Sequence, residues 1–282
     1  MLPVGFWLPK TYAVASTPVA AIFTIMTKVG IYAILRVNGT VFDDAMAQSI
    51  FKNTLLLIGL ITSIYGVIGA IGAERLRRFV GFMVLSSVGT LLIAIAMFNT
   101  QAWSAGLYYL VHSTLIAAAF YLFCGWITAQ RGMFKDHLKV APKIKNEKAA
   151  ALTYFLIAMM MAGLPPFSGF LGKVFILQAT AETAYQGWII AIILIVSLLS
   201  ILALTRVGFI LFWRASPPEI DPNEAAYQTY QGLPAYAPNR NDIAIYIILA
   251  GLTAYVVFAS PIQTHTVLTA QQIQNRALYN QA

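Results

Sequence analysis

Long apolar runs separated by short polar segments make up most of this chain. A helix needs about 20 predominantly apolar residues to cross the hydrocarbon core of a bilayer, and seven runs approach or exceed that length. They cover 11–36, 53–72, 79–98, 104–127, 149–181, 188–213 and 243–260. The run at 149–181 is long for one helix and contains prolines. The pattern therefore predicts seven membrane spans, or eight if this run is divided.

The composition supports a membrane protein of the all-α class. Of 282 residues, 59% are hydrophobic and 10% are charged, whereas a soluble domain carries about 25% charged residues. A helix satisfies its backbone hydrogen bonds within one segment, so it is the expected form of each run in lipid. We predict an all-α, polytopic membrane helix bundle that forms one domain over 1–282. A Pro- and Tyr-rich loop is expected at 215–242 and a polar tail at 261–282.

The basic excess fits membrane topology better than nucleic-acid binding. The net charge is +8, and the basic residues fall mainly between the apolar runs, as in ERLRR at 74–78 and in the lysine-rich segment at 128–148. Short cytoplasmic loops of membrane proteins are enriched in Lys and Arg, so we expect both loops on the cytoplasmic side. No basic patch alternates with aromatic residues along the chain, and nucleic acid is not expected as a partner.

Small residues inside the runs are expected to serve packing. Gly66, Gly69 and Gly72 recur at every third position of the second run, a spacing that allows close approach of helices in lipid. Cys124 is the single cysteine, so it can form neither an intrachain disulfide nor a metal site of its own. We expect it to be a small core residue.

The sequence contains no motif for a cofactor, a metal ion or a hydrolytic triad. It has no GxGxxG or P-loop pattern and no Cys/His cluster. The N-terminal MLPVGFWLPK lacks the basic start and long apolar core of a signal peptide. We therefore expect neither cofactor nor metal, and we expect the chain to begin within a larger protein.

Ionisable side chains inside the runs are the strongest functional candidates, because a charge at mid-membrane costs about 2.5–3.5 kcal/mol on insertion scales. Lys28 lies deep in the first run, His112 in the middle of the fourth, and Lys173 in the fifth. Arg77 and Arg78 lie at the mouth of the third run. Three other arginines lie near run ends, where a long basic side chain can reach the interface: Arg36, Arg206 and Arg214.

Alternative roles remain for these residues. His112 can be a neutral packing residue that is hydrogen-bonded through Ser113 or Thr114, and the lysines can belong to buried ion pairs. No acidic residue is expected at the depth of Lys28. Burial disfavours the charged form of a lysine, while arginine stays protonated. Lysines linked by water and by His112 therefore suit a proton relay.

Both lysines follow a predicted helix break. The breaks are at Pro18 in the first run and at Pro165, Pro166 and Gly169 in the fifth. Proline frees a backbone carbonyl that needs a new partner in lipid, and interrupted helices line cavities at corresponding positions of transporter repeats. The stretch GLPPFSGFLGKVFIL at 163–177 is expected to open polar backbone and room for water beside Lys173, and the shared order suggests an internal repeat.

Four segments, in order, resemble signatures of the antiporter-like subunits of respiratory complex I and of Mrp-type cation/proton antiporters. They are FWLPKTYAVASTPVAAIFTIMTKVGIYAILRV (6–37), RRFVGFMVLSSVGTLL (77–92), LYYLVHSTLIAAAFYLF (107–123) and GLPPFSGFLGKVFIL (163–177). SSVGTLL and HSTL most resemble the D-type subunit of the Mrp antiporter, also called the Pha type for potassium. The resemblance covers roughly 6–260. It implies a multi-pass subunit of a bacterial inner-membrane complex that exchanges Na+ or K+ for protons.

The resemblance also implies roles for single residues. The family's two proton-path lysines match Lys28 and Lys173, and a histidine or lysine between them matches His112. A family lysine before the third run is replaced by Arg77, which can gate or pair electrostatically but carries protons poorly. The lysines are thus expected to shuttle protons, His112 to bridge them, and Arg77 to tune their proton affinity.

The resemblance is to the C-terminal half of family members only. The first half contributes a glutamate that pairs with the lysine matching Lys28, so a missing N-terminal half and other subunits are expected partners. One alternative is a proton-pumping membrane subunit of a complex I-type NADH-quinone oxidoreductase. Another is a truncated, non-transporting structural piece of such a complex.

Overall fold

A computed structural model describes residues 5–41, 45–141, 144, 146–181, 183–214 and 240–275. Ten α-helices lie in these ranges: α1 (Trp7–Val14), α2 (Thr17–Val41), α3 (Ala45–Ile71), α4 (Leu76–Ala96), α5 (Thr100–Gln130), α6 (Glu147–Ala162), α7 (Ser168–Gln178), α8 (Gln186–Gly208), α9 (Arg240–Val257) and α10 (Ala259–Gln274). The π-helical turn Phe209–Trp213 follows α8, and Gly132–Phe134 forms a 3-10 turn. The predicted all-α class is confirmed. The predicted loop at 215–242 lies outside the described residues except for 240–242, which begin α9.

The protein is a multi-pass membrane protein. Five helices within the described ranges are long and apolar enough to cross a bilayer: Thr17–Val37, Gln48–Ile71, Leu76–Ala96, Thr100–Gln130 and Gln186–Trp213. A sixth span results if α9 and α10, which are bent by 81° relative to each other, count as one. The run at 149–181 forms two short helices, α6 with 16 residues and α7 with 11. The division of this run therefore accounts for one span of the difference between the observed five or six and the predicted seven or eight.

Helices α4 and α5 form the centre of the bundle. In its most apolar window α4 is 94% buried, against 33% for the spans formed by α2 and α8. Helix α4 packs against α1, α2, α3, α5 and α8, and α5 packs against α2, α4, α6, α7, α9 and α10. A helix surrounded in this way is apolar on all sides. Polar side chains that α4 and α5 do carry are therefore enclosed by neighbouring helices.

Helices α3 and α4 approach each other through small residues. A Cβ atom added at Gly66 would overlap the backbone of Ser86, and one added at Gly89 would overlap the backbone of Ser63. The Ser86 hydroxyl donates a hydrogen bond to the Ser63 carbonyl, at 3.1 Å, across this interface. Because the glycines have no side chain, the backbones of α3 and α4 approach closely enough for a direct hydrogen bond in an apolar environment.

The predicted packing role of the small residues is confirmed at most positions. Besides Gly66, a Cβ at Gly69 would overlap the ring of Phe82 on α4, whereas at Gly72 the nearest atom would lie 3.8 Å away. Cys124 is a buried free thiol, as expected of a core residue.

The segment after α5 is folded around a buried arginine. Arg131 is 3% exposed and donates hydrogen bonds to the carbonyls of His137, at 2.6 Å, and Lys139, at 2.9 Å. Burial lowers the pKa of Arg131 to about 10, while neighbouring Asp136 acts in the opposite direction. Arg131, one residue of the predicted basic loop, therefore stabilises the fold of that loop through hydrogen bonds to its backbone.

The predicted polar tail at 261–282 is helical as far as Gln274. Helix α10 packs against α5, where Thr100 donates to the Gln274 side chain at 2.5 Å and the Ser104 and Thr266 hydroxyls lie 2.8 Å apart. The sequence signal was weak because α10 is rich in Thr and Gln. Its contacts with α5 are in part hydrogen bonds, which an apolar run does not reveal.

We expect Gly89→Ala to lower the Tm of the detergent-solubilised protein by several degrees. The new Cβ overlaps the backbone of α3, and overpacking of this kind costs about 1–3 kcal/mol, where 1 kcal/mol corresponds to about 2–4 °C. Gly251→Ala is the matched control, because nothing lies within 4 Å of a Cβ there. Equal Tm values for the two variants would contradict the close α3–α4 packing.

Candidate functional site

The second predicted break lies between α6 and α7. Helix α6 ends at Ala162, and Gly163 follows in the left-handed region with φ of 75°. In a continuous helix the carbonyls of Met161 and Ala162 would accept from the N–H groups of residues 165 and 166. Both positions are proline, and proline has no N–H. The Pro-Pro pair therefore leaves the last two carbonyls of α6 without helical partners.

Lys173 takes the place of one missing N–H group. Its Nζ donates to the Ala162 carbonyl at 2.8 Å and to the Ser197 hydroxyl of α8 at 3.0 Å. The carboxyl end of a helix carries partial negative charge, which favours a cation there. The break thus provides a polar binding place for the ammonium group inside an apolar bundle.

His112 contacts the start of α7. Its Nδ1 lies 2.8 Å from the Ser168 hydroxyl, and the side chain is 2% exposed. Both predicted readings of His112 included hydrogen bonding, but the partner is Ser168 from another helix, whereas Ser113 and Thr114 bond to the Leu110 carbonyl. The interaction joins the centre of α5 to the helix that carries Lys173.

Gly169 does not form the helix break, and this prediction is wrong. The residue lies inside α7, one position after its start. A Cβ at Gly169 would lie 2.6 Å from His112 Nε2 and 2.6 Å from the Met160 carbonyl. Gly169 is needed because the imidazole and the end of α6 approach the backbone closely, and the glycine that ends α6 is Gly163.

Lys173 and His112 line one internal cavity. Its volume is about 20 Å³, and a cavity of about 10–15 Å³ on this measure holds one water molecule. Its other polar lining side chains come from α4, α5 and α8: Ser86, Ser87, Thr90, Tyr109, Ser113, Ser197 and Ser200. The expected room for water beside Lys173 is therefore present, although small.

The first predicted break lies between α1 and α2. Ala15 is extended, with ψ of 153°, and α2 begins at Thr17. Pro18 lies in the first turn of α2, where its missing N–H needs no helical partner. Arg77 Nη1 donates to the Ala15 carbonyl at 3.1 Å. At each break a backbone carbonyl therefore accepts a hydrogen bond from a basic side chain. At the first break that side chain is Arg77 and not Lys28, so Arg77 is the counterpart of Lys173.

Lys28 lies in a separate groove across α5. Its Nζ is buried and has no hydrogen-bond partner among the described residues. The groove has a volume of about 490 Å³ and is bordered by α2, α5 and α10, with Thr114, Thr266 and Thr269 among its polar residues. The structure brings Lys173 and His112 together, while Lys28 lines a different cavity.

Sequence reasoning missed two features of the site. Arg206, expected to reach the interface, donates to the Ile71 carbonyl at the end of α3, at 2.5 Å. The hydroxyl residues of the cavity were also missed, although a signal exists. Ser197 and Ser200 on α8 are spaced by three residues within an apolar run, which places them on one helix face.

Comparisons with known proteins agree with the fold and the resemblance. A family model described as "NADH:quinone oxidoreductase/Mrp antiporter, TM" matches residues 1–201. A probable K(+)/H(+) antiporter D-type subunit of Rhizobium meliloti is 33% identical over 243 residues, covering 76% of this chain and 45% of that protein. A Na(+)/H(+) antiporter D-type subunit of Bacillus subtilis is 31% identical over 236 residues, covering 83% and 46%. The chain thus spans about half the length of the curated relatives it matches.

A solved structure shares the fold over the whole chain. It is the Mrp complex from Dietzia sp. DQ12-45-1b, with a TM-score of 0.79 and 24% identity, covering 100% of this chain and 58% of that one. The overall helix arrangement described above is therefore also found in that complex.

We expect Gly169→Ala to destabilise the protein, with a Tm several degrees below that of the unchanged chain, because the methyl group displaces His112 and the end of α6. Gly187→Ala, near the start of α8, is the control because a Cβ there has nothing within 4 Å. If Gly169 acted only as a helix breaker, alanine would stabilise α7 by about 1 kcal/mol, and the Tm would rise.

Proposed function

Because the chain belongs to the NADH:quinone oxidoreductase/Mrp antiporter transmembrane family, we propose that it is a subunit of a Na+/H+ or K+/H+ antiporter complex in a bacterial inner membrane. Lys28, His112 and Lys173 form part of its proton path. The observation that carries this proposal is the Lys173 ammonium on the freed Ala162 carbonyl, beside a water-sized cavity that His112 shares.

The contacts of Lys173 suit a group that gains and loses a proton. The Ala162 carbonyl accepts an N–H from either the ammonium or the neutral amine. The Ser197 hydroxyl accepts from the ammonium and donates to the amine, because a hydroxyl has one donor and two acceptor sites. Both protonation states therefore retain hydrogen bonds. A water in the cavity would connect Lys173 with the imidazole of His112.

Lys28 is proposed to meet a carboxylate from outside the described residues. An uncompensated buried charge costs several kcal/mol, and the Lys28 Nζ has no partner among those residues. The relatives are about twice as long as this chain, and the part of them that this chain does not match is the proposed counterpart of the partner that covers the groove. Protonation of Lys28 would then depend on that partner.

Arg77 is proposed to hold the first break rather than to carry protons. Its guanidinium remains protonated in proteins, and it donates to the Ala15 carbonyl. It thereby fixes the start of α2, and hence the depth of Lys28, and adds a fixed positive charge on this side of the bundle.

A proton-pumping subunit of a complex I-type oxidoreductase is the second candidate. The description of the matching family includes both classes, and the same lysines would carry protons in either. The curated relatives named above favour the antiporter. Partner proteins distinguish the two, because a complex I-type role requires association with a redox arm and NADH-driven proton movement.

Lys28→Ala and Lys173→Ala are each expected to abolish cation-dependent proton exchange without preventing membrane insertion, because each removes a group that binds the moving proton. The measurement is collapse of the pH gradient in inverted membrane vesicles after Na+ or K+ is added. Lys148→Ala at the exposed start of α6 is the control and should exchange normally. Normal exchange in either the Lys28 or the Lys173 variant would refute the relay.

Exchange is also expected to require neighbouring genes. The chain expressed alone should insert but leave the pH gradient unchanged, since the Lys28 groove would remain without its partner. Co-expression with the adjacent subunits should restore gradient collapse. Inserted protein that stays inactive with these partners would favour the complex I-type role or a non-transporting structural piece. Purification of the associated subunits then separates these two.

A further inference from the structure

We propose that the cavity between α4, α5, α7 and α8 binds the transported alkali metal cation, and that it does so only while Lys173 is neutral. This inference rests on the proposed function for the identity of the cation. It assigns to one site both partners of the exchange, the proton on Lys173 and the metal ion among the surrounding hydroxyl groups.

The hydroxyl groups of the cavity present mainly lone pairs to its interior. Four of them donate their single proton to a carbonyl of their own helix: Ser87 to Val84 at 2.7 Å, Thr90 to Ser86 at 3.3 Å, Ser113 to Leu110 at 3.1 Å, and Ser200 to Val196 at 2.7 Å. A fifth, Ser86, donates to the Ser63 carbonyl. A hydroxyl that has donated retains acceptor sites. The cavity is therefore rich in oxygen acceptors that can bind a donor or a positive charge.

Lys173 supplies that positive charge when it is protonated. Two of its three N–H groups donate to the Ala162 carbonyl and the Ser197 hydroxyl. Because Lys173 also lines the cavity, its positive charge lies near the hydroxyl oxygens of the other lining residues. When the proton leaves, the acceptors lose their cation. A hard cation such as Na+ or K+ prefers oxygen ligands, and protein oxygens can replace its hydration shell.

The small volume makes the two states exclusive. About 20 Å³ accommodates a single water-sized particle, so a metal ion would lie within a few ångströms of the Lys173 nitrogen. Two positive charges at that distance repel strongly in a medium of low dielectric constant. The site carries one positive charge in each state, either on protonated Lys173 or on the bound metal ion. Exchange of a proton for a metal ion therefore leaves the charge of the site unchanged. That reciprocal exclusion is the coupling an antiporter needs.

Cation binding should therefore strengthen as the pH rises. Three titratable groups line the cavity, Tyr109 and His112 from α5 and Lys173 from α7, whereas α4 and α8 contribute serine, threonine and apolar side chains. The ammonium of Lys173 is the group that competes directly for the hydroxyl oxygens. His112 is held by Ser168 on its Nδ1 side.

The first test removes cation ligands and leaves Lys173 intact. In the full chain co-expressed with its neighbouring subunits, Thr90→Val and the double variant Ser87→Ala, Ser200→Ala should raise the half-saturating Na+ or K+ concentration about tenfold, as expected when a charged group loses a hydrogen-bonding partner. The maximal rate should stay near that of the unchanged protein. Thr253→Val is the matched control, because Thr253 bonds to its own helix in the same way on an exposed face of α9.

The second test measures binding without transport. Radioactive Na+ and Rb+, the latter standing for K+, are equilibrated with the purified complex across a pH series. Binding to the unchanged protein should weaken as the pH falls. Lys173→Met, which keeps the volume and removes the charge, should bind the cation with no dependence on pH in this range, although exchange is lost.

The two tests separate this inference from the proposed function. Exchange with unaltered half-saturation in the hydroxyl variants, together with pH-dependent binding in Lys173→Met, would overturn the cation site and leave the antiporter role standing. If the complex binds Na+ or Rb+ with the expected pH dependence but exchanges no cation for protons, the result would support the site and refute the antiporter role.

Discussion

Backbone carbonyls inside lipid need hydrogen-bond partners, and this requirement determines where the basic side chains at the helix breaks bind. At each of the two predicted helix breaks, a carbonyl at the end of a helix lies against a basic side chain from another part of the chain. Arg77 bonds to Ala15 at the first break, and Lys173 bonds to Ala162 at the second. Because water is absent from the bilayer core, such pairing is required for stability. The contact that completes the end of α6 also holds the basic group of Lys173 inside the bundle.

Helix α5 divides the basic groups into two environments. Lys173 and His112 share a small, hydroxyl-lined cavity on one side. On the other side Lys28 lines a wide groove, and its Nζ has no hydrogen-bond partner among the described residues. Helices of this chain thus contribute the hydrogen-bond partners of Lys173, while the described part of the groove contributes none to Lys28. That difference agrees with a chain that spans about half of its curated relatives.

Much of the fold and part of the site could be predicted from the sequence, because the signals are local and energetically large. The all-α membrane class follows from apolar runs, the breaks from prolines, and the candidate residues from ionisable groups in apolar surroundings. Helix α10 was missed because hydrogen bonds contribute to its packing against α5. The role of Gly169 was misjudged because close approach of His112 comes from a residue far away in the chain.

The sequence by itself determined the helical membrane class, the position of Pro18 and of the Pro165-Pro166 pair in or beside a helix break, and the burial of Lys28 and His112. Each of these depends on the cost of placing one residue type in lipid. Only the tertiary structure decided which groups meet: Lys173 with Ala162 and Ser197, His112 with Ser168, and Arg77 rather than Lys28 with Ala15. Those pairings join residues from different helices, and helix packing sets them through the close approach that glycines and serines allow.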